Sequence, residues 1–154
     1  MAWEFPAGVK PRKGRGAASN ASGRFESEQR VAIDDGWGST DEEDAEPRVA
    51  TTLSVDVTKT IIARNDSPDI GFDRSINPYR GCEHGCIYCY ARPSHAYLGL
   101  SPGLDFETRI FYKPQAAALL RAELSRKGYA CKPIALGSNT DPYQPAERRL
   151  GVTR

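Results

Sequence analysis

The sequence predicts an α/β fold that opens a repeating series of strands and helices. Three observations predict it: a strand-like segment runs into a cluster of cysteines, a helix with clear ends follows, and a short apolar strand and a polar loop come after that helix. Consecutive strands in such an order are expected to pair in parallel. Only 154 − 89 = 65 residues follow Cys89, too few for a closed or half-closed barrel at roughly thirty residues per repeat. We therefore expect a fragment of a longer protein.

Residues 1–50 are predicted to be a largely disordered, low-complexity tail. The segment KPRKGRGAASNASGR is basic and rich in Gly, Ala and Ser, whereas DDGWGSTDEEDAEP is acidic. Neither segment has the periodicity of a helix or strand, and neither offers enough apolar surface to offset the entropy of ordering. The basic run at 10–15 is interpreted as a solvated tail or, alternatively, as a phosphate contact. Phe25 and Trp37 are apolar exceptions that could dock short pieces on the domain.

The domain is expected to occupy residues 51–154. Alternating apolar and polar residues predict a strand at 53–57. RSINPYRG is interpreted as a short extended segment, in which Pro78 cannot donate to a sheet. After the cysteines, YARPSHAYLGL predicts a short helix or turn that ends near Gly99, SPGLDF a loop, and ETRIFYK a strand.

The clearest element is a helix over 115–128. Ala and Leu recur at helical spacing, basic residues lie in the last turn, and Gly128 is a typical end. A buried strand is predicted at 134–136, then a polar loop, GSNTDPY, and a beginning helix in AERRLGVTR. Cys131, just before that strand, is expected to be a small buried apolar residue.

Cys82, Cys86 and Cys89 form a C-x3-C-x2-C pattern in GCEHGCIYCY, which predicts a metal site. Gly81 and Gly85 allow the loop to turn back between the thiols. A thioredoxin-like use of Cys86 and Cys89 would leave Cys82 unexplained. A 4Fe–4S cluster held by three thiolates would leave one iron open for a small molecule.

A zinc site is the main alternative for these cysteines. Structural zinc takes four protein ligands, so His84 or His95 would have to complete a Cys3His set. Such a site would make the chain a non-enzymatic binding module. A third interpretation is an iron–sulfur electron-transfer protein.

The C-x3-C-x2-C loop, with Tyr88 directly before its third cysteine, resembles the cluster-binding loop of radical S-adenosylmethionine enzymes. The stretch from RSINPYRGCEHGC through ALGSNTDPYQPAERRLG is similar to a bacterial branch of that superfamily related to spore photoproduct lyase. The resemblance covers roughly residues 55–154. It implies a partial parallel (β/α) barrel, of which residues 51–154 would be the N-terminal part.

The resemblance also implies a lyase-like radical reaction. Cys82, Cys86 and Cys89 would each ligate one iron, and S-adenosylmethionine would chelate the fourth. One electron would then cleave the sulfonium to methionine and a 5′-deoxyadenosyl radical. Tyr88 would lie near the adenine, and a loop containing Ser138, Asn139, Thr140 and Asp141 would face the methionine amino group. The alternative is that Tyr88 is a packing aromatic and that Asn139 and Asp141 build a turn.

The expected partners follow from the same resemblance, whereas the expected location follows from the sequence itself. It implies a small electron donor of the flavodoxin or ferredoxin type, and a lesion in nucleic acid as a substrate class. The net charge of +1 gives no general attraction to nucleic acid. Nothing approaches the roughly 18 consecutive apolar residues of a membrane span, so we expect a cytoplasmic protein without membrane contact.

Overall fold

The computed structural model describes residues 15–27 and 49–154. In chain order its strands are β1 (Thr52–Val55), β2 (Ile62–Arg64), β3 (Arg74–Ile76), β4 (Tyr79–Arg80), β5 (Arg109–Tyr112) and β6 (Ala135–Leu136). A 3₁₀ helix, Arg92–Leu98, precedes α1 (Leu104–Thr108), α2 (Ala116–Leu124) and α3 (Glu147–Leu150). Within the described ranges, none of the helices has the length and apolar character needed to cross a membrane.

The strands form two small mixed sheets. In the first, β5 lies in the centre, parallel to β1 and antiparallel to β4. In the second, β3 lies in the centre, antiparallel to β2 and parallel to β6. Each sheet therefore joins one parallel and one antiparallel pair.

This architecture shows that the predicted fold class, part of a partial parallel (β/α) barrel, is wrong. The extended segment RSINPYR is divided at Asn77 and Pro78, so that β3 enters one sheet and β4 the other. Pro78 has no N–H for a ladder, and its carbonyl accepts the backbone N–H of Lys113. The strand predicted in ETRIFYK pairs with β1 and β4 instead of following β3 in one continuous sheet.

Several element boundaries also differ from the predictions. The predicted loop SPGLDF contributes to α1, whose Thr108 hydroxyl donates to the carbonyl of Leu104 (2.7 Å). The predicted helix at 115–128 forms but ends at Leu124, after which the chain continues in turns. Cys131 is exposed, so the prediction that it is buried is wrong.

Two apolar clusters support the sheets. Ile61, Ile76 and Ala116 are buried between the second sheet and α2, and Leu119 and Leu120 pack against them. Cys82, Ala91 and Phe106 form the second cluster, with Cys89 packed against it. The cysteine region thus lies on a very small apolar cluster.

Most of the predicted tail, residues 1–14 and 28–48, lies outside the described residues. Residues 15–23 within that tail are ordered against the domain, contrary to the disorder that their composition predicts. Asn20 exchanges two hydrogen bonds with Asp105, and Ser19 accepts the backbone N–H of Leu104. Phe25 also docks as predicted, because its ring lies 5.1 Å from that of Tyr97.

Candidate functional site

The three clustered cysteines lie on one loop between β4 and the 3₁₀ helix, which we call the cysteine loop (residues 81–90). Two turns shape it: the N–H of Gly85 donates to the carbonyl of Cys82 (3.4 Å), and the N–H of Cys89 donates to that of Cys86 (3.2 Å). Gly81 and Gly85 have φ values of 81° and 63°. These left-handed conformations favour glycine, so Gly81 suits the entry to the loop and Gly85 suits the turn between Cys82 and Cys86.

All three clustered thiols are free. Cys82 is 8% exposed and packs against Ala91 and Phe106, whereas Cys86 and Cys89 are half-buried. Burial raises the pKa of the Cys82 thiol, and the backbone N–H groups of His84 and Asp141 act in the opposite direction by hydrogen-bonding to its sulfur. Burial is the larger effect, so the pKa of Cys82 lies above its ordinary value even with these donors.

The side chains do not form a complete metal site in their present positions. Among the described residues, no group of three or more His, Cys, Asp or Glu side chains is arranged to hold a metal ion. Binding by the three thiols would therefore require their side chains to move together.

A second loop, residues 137–144, docks on the cysteine loop. β6 lies parallel to β3, and this pairing brings the ends of both strands to one edge. The Asp141 carboxylate lies 3.2 Å from His84 Nε2, and its backbone N–H reaches the sulfur of Cys82. Two segments separated by more than fifty residues therefore meet at Cys82.

Gln144 fastens these two loops together. It is fully buried; its Oε1 accepts the N–H of Glu83 (3.0 Å), and its Nε2 donates to the carbonyl of Gly81 (3.2 Å). Sequence reasoning missed Gln144, because a side chain that binds the backbone of a distant loop leaves no local pattern.

The four residues predicted to contact the cofactor differ in their availability. The Ser138 hydroxyl accepts the Asn77 amide (3.1 Å), and the buried Thr140 hydroxyl donates to the carbonyl of Tyr79 (3.0 Å). Asn139 and Asp141 are exposed. The first two thus hold the loop in place. Asp141 builds the turn of the alternative interpretation, because its Oδ1 accepts the backbone N–H of Tyr143 (2.7 Å).

The aromatic tip of the cysteine loop points outwards. Tyr88, predicted to lie near the adenine, is 86% exposed. Tyr90 is also exposed and lines a cavity of about 140 Å³ with Phe25, Tyr97 and Asn139. Tyr88 is therefore not the packing aromatic of the alternative interpretation.

The two histidines have different surroundings. His84 is exposed and pairs with Asp141, whereas His95 is fully buried against Phe106 and its Nε2 lies 3.0 Å from the carbonyl oxygen of Arg109. Burial lowers the pKa of His95. His84 thus has a partner other than the cysteines, whereas the buried Nδ1 of His95 has no hydrogen-bond partner in the described part of the chain.

A buried acid, Glu147, lies between β4 and the C-terminal segment. The Glu147 carboxylate accepts the Tyr79 hydroxyl and the backbone N–H groups of Val152, Thr153 and Arg154. Burial acts to raise the pKa of Glu147, but these hydrogen bonds outweigh it and the pKa lies below its ordinary value. Burial and the neighbouring carboxylate raise the pKa of Tyr79. The pair joins β4 to the C-terminal segment.

Comparison with known proteins gives relatives without an assigned activity. The chain is 53% identical over 81 residues to an uncharacterised protein of Mycobacterium bovis and to uncharacterised proteins of two strains of Mycobacterium tuberculosis. The matched stretch covers 53% of this chain but 24% of each relative, so the match spans about a quarter of their length. No family model and no solved structure matches the chain.

Proposed function

We propose that the cysteine loop binds a 4Fe–4S cluster through Cys82, Cys86 and Cys89, and that the chain belongs to a radical enzyme that uses S-adenosylmethionine. The observation that carries the proposal is the set of three free thiols on one glycine-turned loop, one of which accepts backbone N–H groups from two loops. Three soft thiolates suit such a cluster and leave one iron open.

The two histidines differ in how readily they could complete a zinc site. A structural zinc ion would take a fourth ligand from His84 or His95. His84 is paired with Asp141, and His95 lies buried beside the carbonyl of Arg109. Recruiting His84 would break its pair with Asp141. The buried Nδ1 of His95 has no hydrogen-bond partner among the described residues, so the zinc alternative would use His95, which could ligate through Nδ1 and keep its Nε2 contact.

The chain's own residues would act mainly by position and charge. The N–H groups of His84 and Asp141 would stabilise thiolate charge at Cys82 and tune the potential of a bound cluster. Asn139 and Asp141 would bind the polar end of the cofactor, and the exposed ring of Tyr88 would lie against its adenine. The cluster, when bound, supplies the electron that cleaves the sulfonium.

Anaerobic reconstitution with iron and sulfide tests cluster binding. We expect a brown protein with about four irons and four sulfides per chain. Cys86→Ser should abolish this loading, and Cys131→Ser is the matched control, because Cys131 is exposed and outside the loop. His84→Ala should still load iron. A colourless protein that binds zinc and loses it in His84→Ala or His95→Ala would contradict the proposal.

Addition of S-adenosylmethionine to the reduced, loaded protein tests the open iron. We expect its electron paramagnetic resonance spectrum to change, and the change to weaken in Asn139→Ala. An unchanged spectrum and no 5′-deoxyadenosine would favour a plain electron-transfer protein. The proposed activity also requires a reducing, cytoplasmic location and a flavodoxin-like or ferredoxin-like donor, with a nucleic-acid lesion as the first substrate class to test.

A further inference from the structure

A short N-terminal segment lies across the cysteine loop. We call residues 15–21 the strap. Arg15 anchors one end by donating to the carbonyls of Glu107 and Val49 (both 2.9 Å) and to the Thr51 hydroxyl (3.1 Å). Asn20 anchors the other end on Asp105, with bonds of 2.9 and 2.8 Å. The strap is thus fixed at both ends.

The middle of the strap touches the cysteine loop at Gly16. A Cβ atom built on Gly16 would lie 1.7 Å from the carbonyl oxygen of Gly85 and 3.1 Å from Ile87 Cγ2. Any side chain at this position would force the strap and the loop apart. The backbone of the strap therefore contacts the backbone of the loop at Gly85, which lies between Cys82 and Cys86 in the sequence.

Glu107 joins the strap to the other side of the loop. This carboxylate is fully buried and accepts the N–H groups of Gly16 (3.0 Å) and Ala17 (2.8 Å). It also forms an ion pair with Arg92, whose Nε donates to the carbonyl of Cys86 (3.0 Å). One carboxylate thus connects the strap, through Arg92, to a cysteine of the loop.

We propose that the strap and Glu107 position the cysteine loop, with Glu107 as a positioning residue that holds Gly16 and Arg92 on either side of it. The importance of this positioning for chemistry rests on the proposed cluster. The positioning itself is a property of the metal-free chain and can be measured there, so the two proposals can fail separately.

Alkylation of the four cysteines in metal-free protein, followed residue by residue by mass spectrometry, tests the strap. In Gly16→Ala we expect Cys82 to react about tenfold faster, since labelling of a buried thiol follows local opening. Cys131 is the internal reference, because it is exposed and lies outside the cysteine loop. Gly71→Ala is the matched control, since a Cβ there meets nothing within 4 Å, and it should leave every rate unchanged.

Asn20→Ala is the second variant, because it loosens the strap at the end that does not touch the loop. It should also accelerate labelling of Cys82, by about threefold if the strap acts as a unit, and broaden the resonance spectrum of a loaded, reduced cluster. Equal Cys82 rates in Gly16→Ala and Gly71→Ala would overturn the inference. If Gly16→Ala unfolds and the alkylation rate of Cys131 also changes, Asn20→Ala decides instead. An unchanged alkylation rate of Cys82 in folded Asn20→Ala would then overturn the inference.

Discussion

Replacing Gln144 by Met tests whether this side chain fastens the two loops of the site. Met has a similar length but cannot donate or accept the two hydrogen bonds, to the N–H of Glu83 and the carbonyl of Gly81. The Gly81 carbonyl is buried, so losing its donor should cost about 1–3 kcal/mol. Glu83 is half-buried, and its N–H can turn partly to water, so losing its acceptor should add only about 1 kcal/mol.

The apolar side chain of Met recovers some of this loss, by about 1 kcal/mol. The expected net destabilisation is therefore about 1–3 kcal/mol, measured as a change in the free energy of unfolding from denaturant titration followed by circular dichroism. The slope of the titration should not change. Hydrogen exchange at the Glu83 amide should become faster at the same time. A general loss of stability would accelerate exchange at many amides and not at Glu83 in particular.

Gln115→Met is the matched control for this experiment. Gln115 is exposed at the start of α2, and its side chain makes no capping hydrogen bond. Its replacement should change stability by no more than about 0.5 kcal/mol. If Gln144→Met behaved like this control, with unchanged exchange at Glu83, the argument that Gln144 holds the loops together would be refuted.

Three further predictions concern the supporting framework. Tyr79→Phe should lower the free energy of unfolding by about 1–2 kcal/mol, because Glu147 loses a buried donor; a change below that range in denaturant titration would contradict it. The folded pKa of Glu147 lies below its ordinary 4.5, so the ionised carboxylate makes its full contribution to the free energy of unfolding above pH 4.5. This contribution is lost as the pH falls through the lower folded value. The difference in free energy of unfolding between wild type and Glu147→Gln should therefore disappear in acid. Ile110→Ala, in the centre of the first sheet, should cost about 2–5 kcal/mol in the same titration, against almost nothing for the exposed Val57→Ala.

Sequence patterns identified the local elements of the site better than the contacts that assemble it. The resemblance implied that the loop with Ser138 to Asp141 faces the methionine amino group of a cofactor, and this stays a prediction. In the structure the loop follows β6, and its Asp141 lies beside His84 of the cysteine loop. Gln144 and Glu107 had no such signal, because each binds the backbone of a distant segment. Local periodicity cannot reveal contacts of this kind.

The fold class was mispredicted for a related reason. The order of strands and helices suggested one growing parallel sheet, but order alone does not fix which strands pair. Pro78 divides the segment before the cysteine loop, and the following residues Tyr79–Arg80 pair antiparallel with β5. The strap was missed because its Gly, Ala and Ser content predicts disorder, whereas its order comes from polar contacts with Asp105 and Glu107.

The cysteine loop is held mainly by polar groups. Its apolar support is limited to Cys82, Ala91 and Phe106, with Cys89 at the edge. Arg92 and Gln144 hydrogen-bond to the backbone of the loop, and Glu107 holds Arg92 and the strap beside it. Burial is the larger influence on the Cys82 thiol and raises its pKa, whereas the N–H groups of His84 and Asp141 act to lower it. Ligation of a metal requires a thiolate, so without these N–H groups the deprotonation of Cys82 would cost still more.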